Sequence, residues 1–177
     1  MIEIIRDKKD IEEYFSVLNK RGSLNSGEYS DTVKAIVNDV ALNGDEALEK
    51  YTKKFDNPDF SIDTMEVSKE AQKAAFDSLN SDIKRVLLRS KERIYSYHEH
   101  QKRETWEYTD SIGAKLGQKI TPLNRVGVYV PGGRAAYPSS VLMNILPAKV
   151  AGVNEVIMTT PAVKGYINPL VLAAAYV

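Results

Sequence analysis

The chain has 177 residues and no cysteine, which excludes disulfide bonds and any zinc site built on cysteine. Its 24 basic and 24 acidic residues cancel, so no net charge favours nucleic acid or an anionic membrane as a partner. No run of roughly 18 apolar residues suggests a membrane span, and the opening residues MIEIIRDKKD lack the apolar segment of a signal peptide. We therefore expect a cytoplasmic protein.

Histidine is also scarce, and the only two, His98 and His100, lie in a charged stretch. Residues two apart on a helix point in different directions, so this pair cannot share a metal ion as residues i and i+4 can. Neither histidine is near a turn that carries a nucleophile, and the carboxylates are scattered among lysines on predicted helix faces. We expect both histidines on a solvated surface, and no catalytic residue or metal ligand can be named.

Hydrophobic residues make up 43% of the chain, which is enough to form a core. In the first half of the chain they recur at helical spacing, with a Gly/Ser turn predicted at Arg21–Gly27. Gly44 is placed to end one helix. The helices are predicted to begin near residue 10, at Ser30 or Asp31, at Asp45, at Ser68 and at Ser81.

A β-hairpin is predicted after these helices. β-Branched and aromatic residues alternate over Thr105–Tyr108 and again over Ile112–Lys119, around a polar turn at Asp110–Ser111. Residues 1–123 are therefore interpreted as a helix-rich α+β region.

The pattern then changes to strand, helix, strand and helix, which is typical of a parallel α/β unit. The final helix is apolar nearly all round, as buried helices are. Two strands and two helices cannot cover both faces of a sheet, so we interpret residues 124–177 as the opening part of a larger α/β domain. The alternative is a small domain whose last helix packs into a dimer. The predicted elements are Arg125–Val130, Ser139–Ala151, Glu155–Thr159 and a helix from about Asn168.

The loop after the first of these strands is the candidate ligand site, because ligands bind beyond the carboxyl ends of parallel strands. Gly132 and Gly133 let the backbone take positive φ angles and approach a ligand closely. Tyr129 is placed either to stack on a cofactor or to pack in the core. Ser139 and Ser140 are placed either to bind an anion or to cap a helix. Neither the G-x-G-x-x-G fingerprint nor a phosphate loop is present, so residue spacing alone does not predict a nucleotide.

A long string in residues 120–161 resembles histidinol dehydrogenase. Its most specific parts are Tyr129-Val-Pro-Gly-Gly133, Tyr137-Pro-Ser-Ser-Val-Leu-Met143 and Pro147-Ala-Lys-Val-Ala-Gly152. A second stretch is similar to the N-terminal helical segment of that family, and it consists of Gly44-Asp-Glu-Ala-Leu48, Tyr51 and Lys54-Phe-Asp56. The activity that this resemblance implies is the NAD-dependent, two-step oxidation of L-histidinol to L-histidine in histidine biosynthesis, by a cytoplasmic homodimer that also uses zinc.

The resemblance also implies residue roles and domain boundaries. Tyr129 corresponds to the tyrosine that contacts NAD, whereas the zinc ligands and the catalytic Glu-His pair of the family correspond to positions beyond Val177. The implied fold is α/β, with residues 1–123 as part of a first α/β domain and residues 124–177 as the truncated first half of an incomplete Rossmann-like domain. The chain is therefore expected to be inactive alone. The alternative is a free-standing ligand-binding or interaction module derived from the N-terminal half of the enzyme.

Overall fold

The computed structural model describes residues 4–24, 26–132 and 135–177, with the backbone alone described at 20–24 and 26–28. The chain divides into two compact units, Met1–Thr52 and Lys53–Val177. None of the helices within those described ranges has both the length and the apolar character that a bilayer crossing requires.

The first unit is helical, and it consists of α1 (Lys8–Leu24) and most of α2 (Ser26–Phe55). The predicted turn at Arg21–Gly27 is wrong in its extent, because the two helices occupy nearly all of that stretch. Ser30 and Asp31 accordingly lie inside α2 and not at its cap. A glycine inside a helix costs only about 1 kcal/mol relative to alanine, so Gly22 can lie near the end of α1 and Gly27 near the start of α2.

The helix end predicted at Gly44 is confirmed as a break within α2, where the backbone takes φ 54° and ψ −127°. Glycine adopts positive φ readily, whereas a Cβ atom disfavours it. The carboxylate of Asp39 bridges the break by accepting hydrogen bonds from Asn43 Nδ2 at 2.6 Å, Lys50 Nζ at 2.9 Å and Tyr51 Oη at 2.8 Å. These donors, with Lys50 the strongest, lower the pKa of Asp39 to about 2. Asp39 therefore ties together the segments on either side of Gly44.

The first two α-helices that lie wholly in the second unit are capped by side chains at their first turns. Ser68 Oγ accepts from the backbone N–H three residues on, at 3.1 Å, at the start of α3 (Lys69–Ser78), as predicted. Asn80 Oδ1 accepts in the same way at 2.9 Å at the start of α4 (Ser81–Glu99), so Asn80 is the cap and α4 begins at the predicted residue. Each cap satisfies a backbone N–H that has no partner within its own helix. A short 3₁₀ helix, Ile62–Thr64, precedes them.

The predicted hairpin is confirmed, with a longer turn than expected. Its strands are β1 (Trp106–Thr109) and β2 (Lys115–Gln118), which pair antiparallel. Asp110 Oδ1 accepts from the backbone N–H groups two and four residues on, at 3.0 and 2.9 Å, and Gly113 has a φ angle of 90°. These bonds hold the stretch after β1 as a turn, so the second strand begins later than the predicted Ile112.

The chain then forms a parallel α/β unit in the predicted order. Its elements are β3 (Arg125–Tyr129), α5 (Pro138–Val150), β4 (Glu155–Thr159) and α6 (Pro169–Tyr176). β3 pairs with β4 in parallel register. The pairing is the one expected when a helix connects two strands of the same sheet.

One face of the β3–β4 sheet is packed by helices. α5 lies against both strands, α6 packs on α5 and α3, and α4 packs on α5. The final helix is buried along most of its surface, as predicted. The buried cluster consists of Leu87, Val130, Val141, Leu142, Leu146, Val171, Ala173 and Ala174. Helices α3 and α4 therefore share one core with the parallel strands.

The other face of this sheet is exposed. Along β3 the exposed Arg125, Gly127 and Tyr129 alternate with the half-buried Val126 and Val128, and β4 has the same alternation. Alternating burial means that α5 covers one side of the strands only. The fold is thus α/β with small sheets. The domain boundary predicted between residues 123 and 124 stays a prediction.

Candidate functional site

The loops that follow β3 and β4 leave the sheet at the same edge. Tyr129 lies opposite Thr159 at the last pair of the register, and the Val130 N–H donates to the Thr159 carbonyl at 2.9 Å. Because the strands are parallel, the two loops begin side by side at the carboxyl ends. This carboxyl edge is where ligands bind in open parallel sheets.

A cavity of about 110 Å³ lies at this edge, between the two loops and the start of α6. Most of the lining is small or apolar, and no described lining residue carries a charge. An engineered cavity of about 150 Å³ accepts benzene, whereas pockets for drug-sized ligands span roughly 300–1,000 Å³. The carboxyl-edge cavity is therefore of a size for one ring system. Its lining includes Gly132, Ala136, Thr160, Tyr166, Asn168 and Val171.

Gly132 is required here by a neighbouring loop. A Cβ atom at Gly132 would lie 3.1 Å from the Pro161 carbonyl oxygen and 3.3 Å from Thr160 Oγ1. The φ angle of Gly132 is outside the positive region, so the positive φ predicted for it is wrong. Its lack of a side chain instead lets the loop after β3 approach the loop after β4. Gly133 lies outside the described residues.

Two of the lining residues, Val163 and Tyr166, are the ends of a tight turn. Val163 and Tyr166 form an antiparallel bridge, and the intervening Lys164 and Gly165 have φ angles of 53° and 75°. The Lys164 N–H donates to the Asp56 carbonyl at 2.9 Å. This contact ties the turn to a segment that precedes α3 in the chain, so the turn is held from outside the loop.

Asn168 and Tyr166 place polar groups at the cavity. Asn168 Oδ1 accepts from the Leu170 N–H at 2.9 Å and thereby caps α6. Tyr166 lines the cavity while its side chain is 64% exposed. Neither residue is predicted from the sequence as part of the site. Gly165 signals a turn, but the contact between that turn and Asp56 is long-range and has no local sequence pattern.

Tyr129 lies on the uncovered face of the sheet and is 65% exposed. Within the described part of the chain nothing on that face covers the ring, so these residues do not show the packing in the core that was one of its two interpretations. The cavity is lined instead by residues that follow the strands. Contact between Tyr129 and NAD stays a prediction.

Ser139 and Ser140 do not cap α5. The helix begins at Pro138, so both serines lie in its first turn, and Tyr137 occupies the cap position without a side-chain hydrogen bond. Proline is favoured at the first helical position because its fixed φ suits the helix and its missing N–H is not needed there. The helix therefore begins at Pro138, one residue before the predicted start at Ser139.

The two histidines are separated along the end of α4. His98 Nδ1 is 2.6 Å from Gln101 Oε1 and is half-buried, whereas His100 is exposed. Within the described ranges, no three His, Asp or Glu side chains are grouped so that they could hold a metal ion. The described residues therefore do not supply a zinc ligand set.

Comparison with known proteins identifies the family. The family model for histidinol dehydrogenase matches residues 19–177. The chain belongs to the histidinol dehydrogenase family. It is 48% identical over 169 residues to the histidinol dehydrogenase of Acinetobacter baylyi, covering 95% of this chain and 39% of that protein. It is 53% identical over 146 residues to that of Neisseria meningitidis, covering 82% of this chain and 34% of the relative.

The fold agrees with this family. The crystal structure of histidinol dehydrogenase from Elizabethkingia anophelis superimposes with a TM-score of 0.73 at 26% sequence identity. The match covers 99% of this chain and 35% of that chain. The chain thus spans well under half the length of the family members that it matches.

Proposed function

We propose that this chain forms part of an NAD-dependent histidinol dehydrogenase that oxidises L-histidinol, through an aldehyde, to L-histidine. The observation that carries the proposal is the family match over residues 19–177. The carboxyl-edge cavity supports it, because it occupies the position at which parallel sheets bind cofactors. NAD, when bound, supplies the hydride acceptor for each oxidation. The part of this chain is to bind and orient the cofactor.

The proposal includes the Rossmann-like architecture. Residues 124–177 would be the first half of an incomplete Rossmann-like domain, and residues 1–123 part of a first α/β domain. The parallel β3–β4 pair and the single covered face of its sheet support this assignment. Parallel sheets are almost always covered on both faces, so two strands with one open face suggest part of a larger sheet.

Tyr129 is the proposed NAD contact. Its ring is 65% exposed at the carboxyl end of β3, beside the loop that leads to the cavity. An exposed ring at this position can stack on a planar group of a cofactor or cover one of its faces. No other family residue role is assigned to this chain.

Zinc and proton transfer are not assigned to residues of this chain. The described side chains do not group into a zinc ligand set, so no step is derived through zinc. Each oxidation releases a proton to a base as hydride leaves. The resemblance attributes that base to a Glu-His pair at positions beyond Val177.

A second copy of the protein is the proposed partner, and the cytoplasm the proposed location. Large apolar side chains are exposed in the first unit, which supports burial against another chain. They include Tyr14 at 52%, Phe15 at 56%, Val33 at 54%, Val37 at 59% and Leu42 at 84%. The cytoplasmic location follows from the biosynthetic role that the family implies.

The test is calorimetric titration of this chain with NAD, with NADH formation from L-histidinol and bound metal measured in parallel. We expect NAD binding, no NADH formation and no stoichiometric zinc. One zinc per chain, or turnover by this chain alone, would contradict the assignment of those functions to residues outside it. Absence of NAD binding would favour the alternative, a module that binds a different ligand.

A further inference from the structure

We propose that the segment Asp56–Asn57, called here the anchor segment, is a positioning element for the cofactor site. It holds a strained turn at residues 163–166 in the conformation that brings Val163 and Tyr166 to the carboxyl-edge cavity. Neither residue of the anchor segment is among the described residues that line the cavity, so its effect on a ligand passes through the turn. This inference rests on the proposed NAD-binding function.

The turn has a backbone conformation that its sequence does not favour. Lys164 and Gly165 have φ angles of 53° and 75°, and the Tyr166 N–H donates to the Val163 carbonyl at 3.1 Å. Two successive positive φ angles are typical of turns that carry Asn or Asp followed by Gly. Glycine suits the second position, whereas the Cβ atom of lysine disfavours the first. Among the described residues, Lys164 is the only one other than a glycine with a positive φ angle.

Contacts from outside the turn offset this strain. The Lys164 N–H donates to the Asp56 carbonyl at 2.9 Å. A Cβ atom at Gly165 would be 3.4 Å from Asn57 Nδ2, so the Asn57 side chain lies against the turn. A strained residue persists only where its surroundings hold it, and such residues cluster at binding sites. The strain at Lys164 and its support by the anchor segment therefore indicate a role in the site and not only in the fold.

The anchor segment is ordered by a turn of its own. Asn57 Oδ1 accepts from the Asp59 N–H at 3.2 Å, and the Asn57 carbonyl accepts from the Phe60 N–H at 3.1 Å. Pro58 also restricts the backbone of the residue before it. These restraints fix the direction of the carbonyl that accepts from the strained turn. A loop that is already held in its binding geometry loses little conformational entropy when a ligand arrives.

The test compares NAD affinity across a double-mutant cycle of Asn57→Ala and Lys164→Asn in the 177-residue chain, with NAD titrations followed by NMR. Asn57→Ala removes the contact with Gly165 and the bond from Asp59. We expect the Kd for NAD to rise about fivefold, in proportion to the lost population of the ordered turn. Lys164→Asn gives the turn a residue that its φ angles favour. In that background Asn57→Ala should change the Kd by less than about twofold.

Solvent exchange of the Lys164 N–H gives a spectroscopic measurement that needs no ligand. The hydrogen bond to Asp56 should slow this exchange in the unmodified chain, and Asn57→Ala should accelerate it by a factor similar to the rise in Kd. General loss of stability would not act on this one amide in preference to others.

Asn80→Ala is the matched control. Asn80 Oδ1 also accepts from a backbone N–H, at 2.9 Å, but it caps α4 and is not among the residues that line the cavity. Its loss should lower the melting temperature and leave both the Kd for NAD and the exchange of the Lys164 N–H unchanged. Equal rises in Kd for Asn80→Ala and Asn57→Ala would overturn the positioning role.

The outcomes separate this inference from the proposed function. If the Lys164 N–H exchanges as fast as an unbonded amide, the anchor segment does not hold the turn and the inference is wrong. If Asn57→Ala leaves the Kd unchanged, or raises it equally in both backgrounds, the positioning role fails while NAD binding stands. If the unmodified chain binds no NAD at millimolar concentration, the NAD-binding part of the proposed function fails together with the role of the anchor segment in it.

Discussion

At the scale of single residues, Tyr129 is an exposed aromatic residue at the carboxyl end of a parallel strand. It ends β3 and is 65% exposed on the uncovered face of the sheet. In a longer family member that carries this segment and turns over, we expect Tyr129→Ala to raise the KM for NAD more than it lowers kcat. The reason is that a stacking contact stabilises the bound cofactor equally in the ground state and the transition state.

Steady-state kinetics with NAD as the varied substrate measures this split. Tyr108→Ala is a suitable control, because Tyr108 is 54% exposed on the hairpin and is not among the residues that line the carboxyl-edge cavity. An unchanged KM for NAD in Tyr129→Ala would show that the ring does not contact the cofactor.

Asp39 makes the stability of the first unit depend on pH. Hydrogen bonds from Lys50, Asn43 and Tyr51 lower its pKa from 3.8 to about 2. A carboxylate whose pKa is lower in the folded state stabilises that state above the unfolded pKa, and the effect is lost as the pH falls from about 4 to about 2. Asp39→Asn should therefore lower the melting temperature at pH 7, and the difference from the unmodified chain should shrink towards pH 2.

Thermal unfolding followed by circular dichroism across that pH range tests this prediction. Asp31→Asn is the control, because Asp31 is 91% exposed and its pair with Lys34, at 3.9 Å, is a surface ion pair of little expected effect. Equal melting temperatures for Asp39→Asn and Asp31→Asn at pH 7 would show that the Asp39 bonds do not stabilise the fold.

At the scale of elements, α2 depends on one backbone conformation. Gly44 has φ 54° and ψ −127°, and a Cβ atom there would meet nothing within 4 Å. The cost of a side chain is therefore one of backbone strain and not of steric contact. Gly44→Ala should lower the free energy of unfolding by about 1–3 kcal/mol, the usual cost of a residue held in a rarely populated region.

Gly127→Ala is the matched control for Gly44→Ala. A Cβ atom at Gly127 also meets nothing within 4 Å, and its φ angle is not positive. In the middle of β3 alanine should be neutral or slightly stabilising, because it reduces the entropy of the unfolded chain. Chemical denaturation measures both variants. A straightened α2 without loss of stability in Gly44→Ala would contradict the strain argument.

At the scale of the whole molecule, α4, which precedes the parallel strands, shares one core with α5 and α6, which follow β3 and β4. Leu87 of α4 belongs to the same buried cluster as Val130, Leu142 of α5 and Val171 of α6. Leu142 is 3% exposed, so Leu142→Ala should lower the free energy of unfolding by about 2–5 kcal/mol, through lost burial and a residual cavity.

The neighbouring Met143 provides the comparison for Leu142. It is 60% exposed on the same helix, so Met143→Ala should change the free energy of unfolding by less than about 0.5 kcal/mol. Denaturant titration distinguishes the two. Similar losses for both variants would mean that α5 does not use Leu142 to join the core.

Much of the fold was predictable from local patterns. Helical spacing predicted α1 and α4, a serine predicted the start of α3, and the strand predicted at Arg125–Val130 corresponds to β3. The error at residues 21–27 arose because glycine and serine signal a turn only weakly when the surrounding residues favour a helix. The hairpin turn was too short because Asp110 organises it through side-chain bonds that alternation does not reveal.

The position of the candidate site was also predictable from local patterns, whereas most of its lining residues were not. Residue order was sufficient to direct attention to the loop after β3, because a strand followed by glycines and a helix is a local pattern at the known ligand-binding edge of a parallel sheet. The family resemblance was likewise a property of consecutive residues, and the match over residues 19–177 confirms it.

Only the tertiary structure decided which residues form the cavity wall and which remain exposed. Tyr166 belongs to the cavity because Lys164 binds the carbonyl of Asp56, and Gly132 is needed because Pro161 approaches it. Contacts between residues so far apart in the chain depend on how strands and helices pack, and no local spacing encodes them. Tyr129 is exposed for the same reason, since α5 covers the opposite face of the sheet.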